Sequence, residues 1–271
     1  MKIRHIHIPI IASALTICSA CEKELDFRYH DIPAITVIEG AITAAGSDVT
    51  ITQTTPMDEP TNRTHITDAS VTLTNLDTED TSILLPDDRG NFVSVNPGIP
   101  GDRYRLTVTH DGHTYSSIST MTPAVDIQSL EFSWIDMPYD QVAILQIAFA
   151  DNNPDIEGDC YWIRLYRNGA AYMWKEIKDN LSIDGIIYEV IMTSRRDTEE
   201  EDDRTVLTDG DVITVTVTQI SPDMHDYLAA ISSDSNGPSM FTGDFCLGYF
   251  IAGEISEASI EYHPADITGN K

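Results

Sequence analysis

Residues 151–159 read Asp-Asn-Asn-Pro-Asp-Ile-Glu-Gly-Asp, which sets Asp151, Asn153, Asp155, Glu157 and Asp159 at alternate positions. Oxygen ligands spaced this way could hold Ca²⁺, the one cofactor the composition suggests. The twelve-residue calcium loop needs Gly at its sixth position and a bidentate Glu at its twelfth. Ile156 and Trp162 stand there instead, so the preferred reading is a solvated acidic loop between two strands. His110 and His113 flank Asp111-Gly112 and could face each other across a hairpin, but two His make half of a tetrahedral site at most. Residues 199–203 are five consecutive acids, which repel one another and read as a loop; the functional alternative is a docking site for a basic partner. Trp134, Tyr139, Trp162, Tyr166, Tyr172 and Trp174 concentrate aromatic residues in one stretch. At strand spacing they read as core, with a binding surface as the minority reading. The chain carries no nucleophile elbow, zinc-protease helix, phosphate loop or dinucleotide fingerprint, and among 44 acids chance carboxylate pairs identify no glycosidase. The residues predict a protein that is not an enzyme.

The remaining chemistry lies at the N-terminus. Lys2 and Arg4 precede a short apolar stretch over residues 8–17, and the first acid is Glu22. This is a secretory signal, too short to span a bilayer. It ends in Cys18-Ser19-Ala20-Cys21, which resembles a bacterial lipobox with Ala20 as the small residue and Cys18 where Leu is usual. Cys21 is then the lipidated residue, and three acyl chains exceed what stable membrane attachment requires. Removal of residues 1–20 takes away two bases and no acids, so the formal charge moves from −28 to −30. A surface this acidic repels phosphate backbones and excludes nucleic acid as a partner. Cys160 and Cys246 remain, and in an exported protein they form either one disulfide or two separately buried thiols.

These groups would be carried by strands. After a polar tether over residues 21–34, β-rich runs follow at 35–43, 48–54, 69–75, 82–85, 104–109 and 114–120, with turn residues between them. The second half carries runs at 129–135, 142–149, 160–167, 170–177 and 212–220, and closes on 250–262. Asp111-Gly112, Asn168-Gly169 and Asp184-Gly185 are two-residue hairpin signals. One helix is expected over 224–231, capped by Ser221-Pro222-Asp223 and burying Tyr227, Leu228 and Ile231. The reading is all-β, with two β-sandwich halves of immunoglobulin- or transthyretin-like kind and one short helix in the second. The expected segments are 1–20 signal, 21–34 tether, 35–123 first sandwich, 124–264 second β-rich domain and 265–271 tail.

The Cys21 lipobox followed by acids, the Asp151 and Cys160-Tyr161-Trp162 strand entry, and Gly248-Tyr249-Phe250 together resemble a family of Bacteroidetes lipoproteins, domain of unknown function 4249. The resemblance covers most of residues 18–262 and keeps part of a longer Gly-rich stretch at 243–250. It implies an outer-membrane, cell-surface lipoprotein that assists a TonB-dependent transporter barrel. Glu22-Lys23-Glu24-Leu25-Asp26 resembles the surface-export signals of such proteins. A structural or adhesive surface lipoprotein is the alternative.

Overall fold

The computed structural model describes residues 33–55, 64–138, 140–179, 182–195 and 206–267. The lipobox, the run of five acids and Tyr139 lie outside them. Among the described residues, sixteen strands and one helix are arranged around three apolar clusters.

The first sandwich is built from β1 (Thr36–Thr43), β2 (Gly46–Gln53), β3 (Ser70–Asn75), β4 (Thr81–Pro86), β5 (Phe92–Ser94), β6 (Arg103–His110) and β7 (His113–Thr120). The second uses β8 (Ile127–Met137), β9 (Asp140–Ala150), β10 (Cys160–Arg167), β11 (Ala170–Lys178), β12 (Ile186–Arg195) and β13 (Asp211–Ile220), followed by α1 (Pro222–Ser232). The chain then forms β14 (Thr242–Gly243), β15 (Leu247–Ala252) and β16 (Ser256–Tyr262).

β14 and β15 do not stay in the second sandwich. They are the two ends of a nine-stranded sheet ordered β14-β7-β6-β3-β4-β5-β2-β1-β15. β15 runs parallel to β1, and the Ala252 N–H donates to Ser119 Oγ of β7 at 2.9 Å, so the sheet curls back towards its own far edge. Ile38, Ile51, Leu84, Phe92, Leu106 and Phe250 fill the interior. A division at residue 123/124 is therefore crossed by the chain itself. The closing run expected over 250–262 is two strands in two different sheets, separated at Gly253, whose N–H bonds Ile42. A side chain at Gly253 would place Cβ 2.5 Å from Thr122 Oγ1, which explains a Gly at the crossing point.

In the second sandwich a three-stranded sheet, β12-β9-β8, faces a four-stranded one, β11-β10-β13-β16. Period-2 alternation decides the faces: Ile213, Val215 and Val217 of β13 are fully buried in the core with Leu145, Phe149 and Tyr161. The three hairpin signals each have positive φ at both central residues, Asp111/Gly112, Asn168/Gly169 and Asp184/Gly185, as a type I′ turn requires.

Ser221 caps α1, its Oγ accepting from the Met224 N–H at 3.2 Å, with Pro222 opening the helix. The buried stripe is Met224, Leu228 and Ala230, which corrects the expected one: Ile231 is exposed and Tyr227 half-buried. The helix packs on Cys160, Trp162 and Ile220 of the four-stranded sheet and Ile251 of β15, so it lies over the join between the sandwiches.

Candidate functional site

Each sequence-derived candidate that falls among the described residues has a definite place. Asp151 is buried, and its Oδ1 accepts from the Asn153 N–H at 2.9 Å and the Tyr161 hydroxyl at 3.3 Å. Burial first, then the neighbouring Asp151 carboxylate, push the Tyr161 phenol far up. Asp159 Oδ2 accepts from Asn153 Nδ2 at 2.6 Å and Gln219 Nε2 at 3.0 Å. Asp151 ties the β9–β10 loop to β10 and Asp159 ties it to β13, while Asp155 and Glu157 face solvent. Among the described residues no group of three or more His, Cys, Asp or Glu side chains is placed to hold a metal ion. Of the alternating carboxylates, Asp151 and Asp159 thus accept hydrogen bonds from the loop and its neighbouring strands.

Cys160 and Cys246 are free, buried thiols in separate apolar clusters, which decides against the disulfide. Burial pushes the Cys246 thiol up to about 12. His110 and His113 are cross-strand neighbours, but each ring turns to a carboxylate: His110 Nε2 lies 3.2 Å from Asp68 and His113 Nδ1 3.2 Å from Asp244. The Thr114 N–H, donating at 2.8 Å, and then His113 hold the Asp244 carboxyl below its usual range.

Two clefts meet at Phe245. One, of about 430 Å³, lies between α1 and the segment before β15 and is lined by Tyr227, Ile231, Met240, Phe245, Cys246 and Leu247. Its size is that of a small-molecule site. The Tyr227 hydroxyl accepts from the Gly248 N–H at 3.2 Å, fixing helix to strand. The rim is apolar and open: Phe245 is 70% and Ile231 49% exposed. The other cleft, of about 450 Å³, lies between His113, Asp244 and Phe245 on one side and Ala34, Ile35 and Thr36 on the other, where the chain enters β1.

Beside α1 the expected aromatic stretch divides. Trp134 belongs to the second sandwich's core, with Tyr172 packed against it. Trp162 sits at the join, meeting Trp174 edge-on at 6.4 Å and Tyr249 at 5.6 Å, and the Arg164 guanidinium lies 4.5 Å over its ring. Trp162 Nε1, Arg164 Nε, Thr216 Oγ1 and Thr218 Oγ1 are buried atoms with no hydrogen-bond partner. A buried polar group left unpaired costs about 1–3 kcal/mol, so four in adjacent positions are a marked feature. Phe245, Tyr227, Arg164 and the Thr row were not legible as a site in the sequence. The one usable signal was a Gly-Tyr-Phe motif whose Tyr249 joins Trp162.

The fold and these clefts define an all-β, two-sandwich protein with a ligand-sized apolar cleft at the join of its sheets. The chain belongs to the family described as Domain of unknown function (DUF4249), whose profile matches residues 22–270. A two-fibronectin type III domain segment from chicken tenascin is similar at 8% identity and a TM-score of 0.26, covering 85% of this chain and 100% of that one. No curated protein matches the chain.

Proposed function

We propose that this protein is a lipid-anchored outer-membrane protein, attached through Cys21 and exposed at the cell surface, that acts by binding rather than catalysis as an accessory to a TonB-dependent transporter. The observation that carries this reading is the position of the apolar ridge. Phe245 shares one cleft with Ala34–Thr36, where the body leaves the tether, and lines the α1 cleft on its other side. Twelve residues separate Cys21 from Ala34, and a segment of that length spans at most about 40 Å. With Cys21 lipidated, Phe245, Ile231 and Leu247 would lie within that reach of the anchor, where the rim of a barrel would meet them. Exposed apolar side chains around a cleft are what a partner's apolar anchor would fill. Membership of the family and the lipobox resemblance support the same reading.

The test is purification of the full-length lipidated protein from its native membranes in mild detergent, followed by mass spectrometry. A stoichiometric TonB-dependent barrel is expected, with recovery reduced about tenfold in Phe245→Ser/Ile231→Ser, a loss of about 1.4 kcal/mol. Cys21→Ser should move the protein out of the membrane fraction. Recovery of the lipoprotein alone, in detergent that keeps other outer-membrane complexes whole, overturns the accessory role.

A further inference from the structure

A second feature stands apart from the apolar ridge, and its argument does not depend on the accessory role. Arg164 lies on the outer face of the four-stranded sheet, with Trp174 of β11 and Thr216 of β13 as its cross-strand neighbours. One row nearer the join, Trp162 stands between Glu176 and Thr218. The sequence has 44 acids and 16 bases, so a half-buried base would be expected to have a carboxylate beside it. Arg167 and Lys175 do, Arg167 to Asp211 at 2.6 Å and Lys175 to Glu189. Arg89, Arg103, Arg105 and Lys178 are exposed. Arg164 is half-buried, has Nε unpartnered and, among the described residues, joins no ion pair.

The neighbouring polar atoms are of one chemical kind. Trp162, Thr216 and Thr218 are each more than nine-tenths buried, and Trp162 Nε1 and both Thr Oγ1 atoms have no partner. Arg164 Nε and Trp162 Nε1 can only donate, and the two hydroxyls can donate. Four donors on one face, in two adjacent rows, call for acceptor oxygens. We propose that Arg164, braced on Trp162, anchors the carboxylate of a small ligand whose flat apolar body lies against Trp174.

Three observations set the ligand class. A guanidinium presents two parallel donors, which match a planar carboxylate. Trp174 is 39% exposed and edge-on to Trp162, so its ring offers an open flank beside Arg164. Glu176, Glu257 and Glu39 flank the rows, Glu257 opposite Thr216 and Glu39 beside Tyr249. They oppose a multiply charged phosphate more than a singly charged carboxylate. The rest of the negative surface matters less, since at physiological salt charges beyond about 8 Å are largely screened.

The experiment uses the mature protein at physiological salt with benzoate as probe, benzamide as its neutral analogue and inorganic phosphate as the dianion. Binding is followed by calorimetry and by the indole N–H resonances. The chain has three Trp, and Trp134 lies in the other core. Benzoate should shift the Trp162 and Trp174 resonances saturably and leave Trp134 in place. Benzamide and phosphate should bind at least about tenfold more weakly, and Arg164→Gln should lose benzoate at least about tenfold. Arg164→Lys, which keeps the charge without the fork, should fall between, with thermal melts reporting the fold of each variant. The wild-type resonances stand alone if a variant fails to fold. Absence of a saturable shift, movement of all three indoles, equal binding of benzamide, or full benzoate binding by folded Arg164→Gln overturns the proposal.

Discussion

Asp211 opens β13 and is buried beneath four donors: Asn168 Nδ2 at 2.7 Å, the Thr208 N–H at 2.7 Å, Thr208 Oγ1 at 3.0 Å and Arg167 at 2.6 Å. Burial works against its ionisation, but these bonds outweigh it and hold the carboxyl below its usual range. A carboxyl with a lower pKa folded than unfolded adds stability above the unfolded value, and that stability is lost as pH falls through the folded value. Asp211→Asn should therefore lower stability at pH 7 by about 2 kcal/mol. The difference from wild type should narrow below about pH 4, as followed by urea unfolding across pH. The thiols make a second prediction at this scale. Burial raises both Cys160 and Cys246, so neither forms thiolate near neutral pH. An alkylating reagent should leave both unmodified in the native protein and label both after denaturation without any reductant. A requirement for reductant would restore the disulfide.

β15 depends on Gly248, which has φ +104° and lies so close to β1 that a Cβ would stand 1.9 Å from Ile38 O. No side chain can give way there, because the obstacle is backbone. Gly248→Ala should destabilise by on the order of 3 kcal/mol, read as a shift in urea midpoint, through strain and forced separation of β15 from β1. Helix α1 offers a milder comparison: Ser221→Ala removes one cap bond and should cost about 1 kcal/mol, with Ser221→Asp restoring it. The free edges of the second sandwich are also managed. Glu189 of β12 turns inward to pair with Lys175 of β11, and the Tyr172 hydroxyl donates to Thr193 O at 2.6 Å. Inward charge on an edge strand discourages pairing with another chain.

At the scale of the molecule, the first sandwich borrows its last wall from the end of the chain. Phe241, Cys246, Phe250 and Ala252 belong to its core, and β15 supplies the only parallel partner of β1 among the described strands. A fragment ending at residue 124 should therefore fail to show the dispersed amide spectrum of a folded sandwich. Addition of a peptide spanning 240–253 in trans should recover it in part. A fragment that folds unaided would show that β15 is an accessory to a complete domain. The same connection predicts that both sandwiches unfold in one transition, since β15 and β16 are separated by three residues and pull on both sheets.

Local chemistry was legible in the sequence alone. Period-2 alternation identified most strands, Asp-Gly and Asn-Gly identified the hairpins, and Ser221-Pro222 identified the helix start, because each depends on neighbours a few residues apart. The family was likewise legible from Cys160-Tyr161-Trp162 and Gly248-Tyr249-Phe250, and the family match over 22–270 bears it out. Only the tertiary structure decided that 250–262 is cut in two and that the cut joins the sandwiches, because nothing within thirteen residues records which sheet will receive them. It also decided that Asp159 bonds Asn153 of its own loop and Gln219 of β13, and that two Cys in similar strand-like runs belong to different cores. Arg164 could not be read as unpaired in a sequence with 44 acids. Whether a charge has a partner depends on which strands pair across the sheet, and that is a long-range property of the fold.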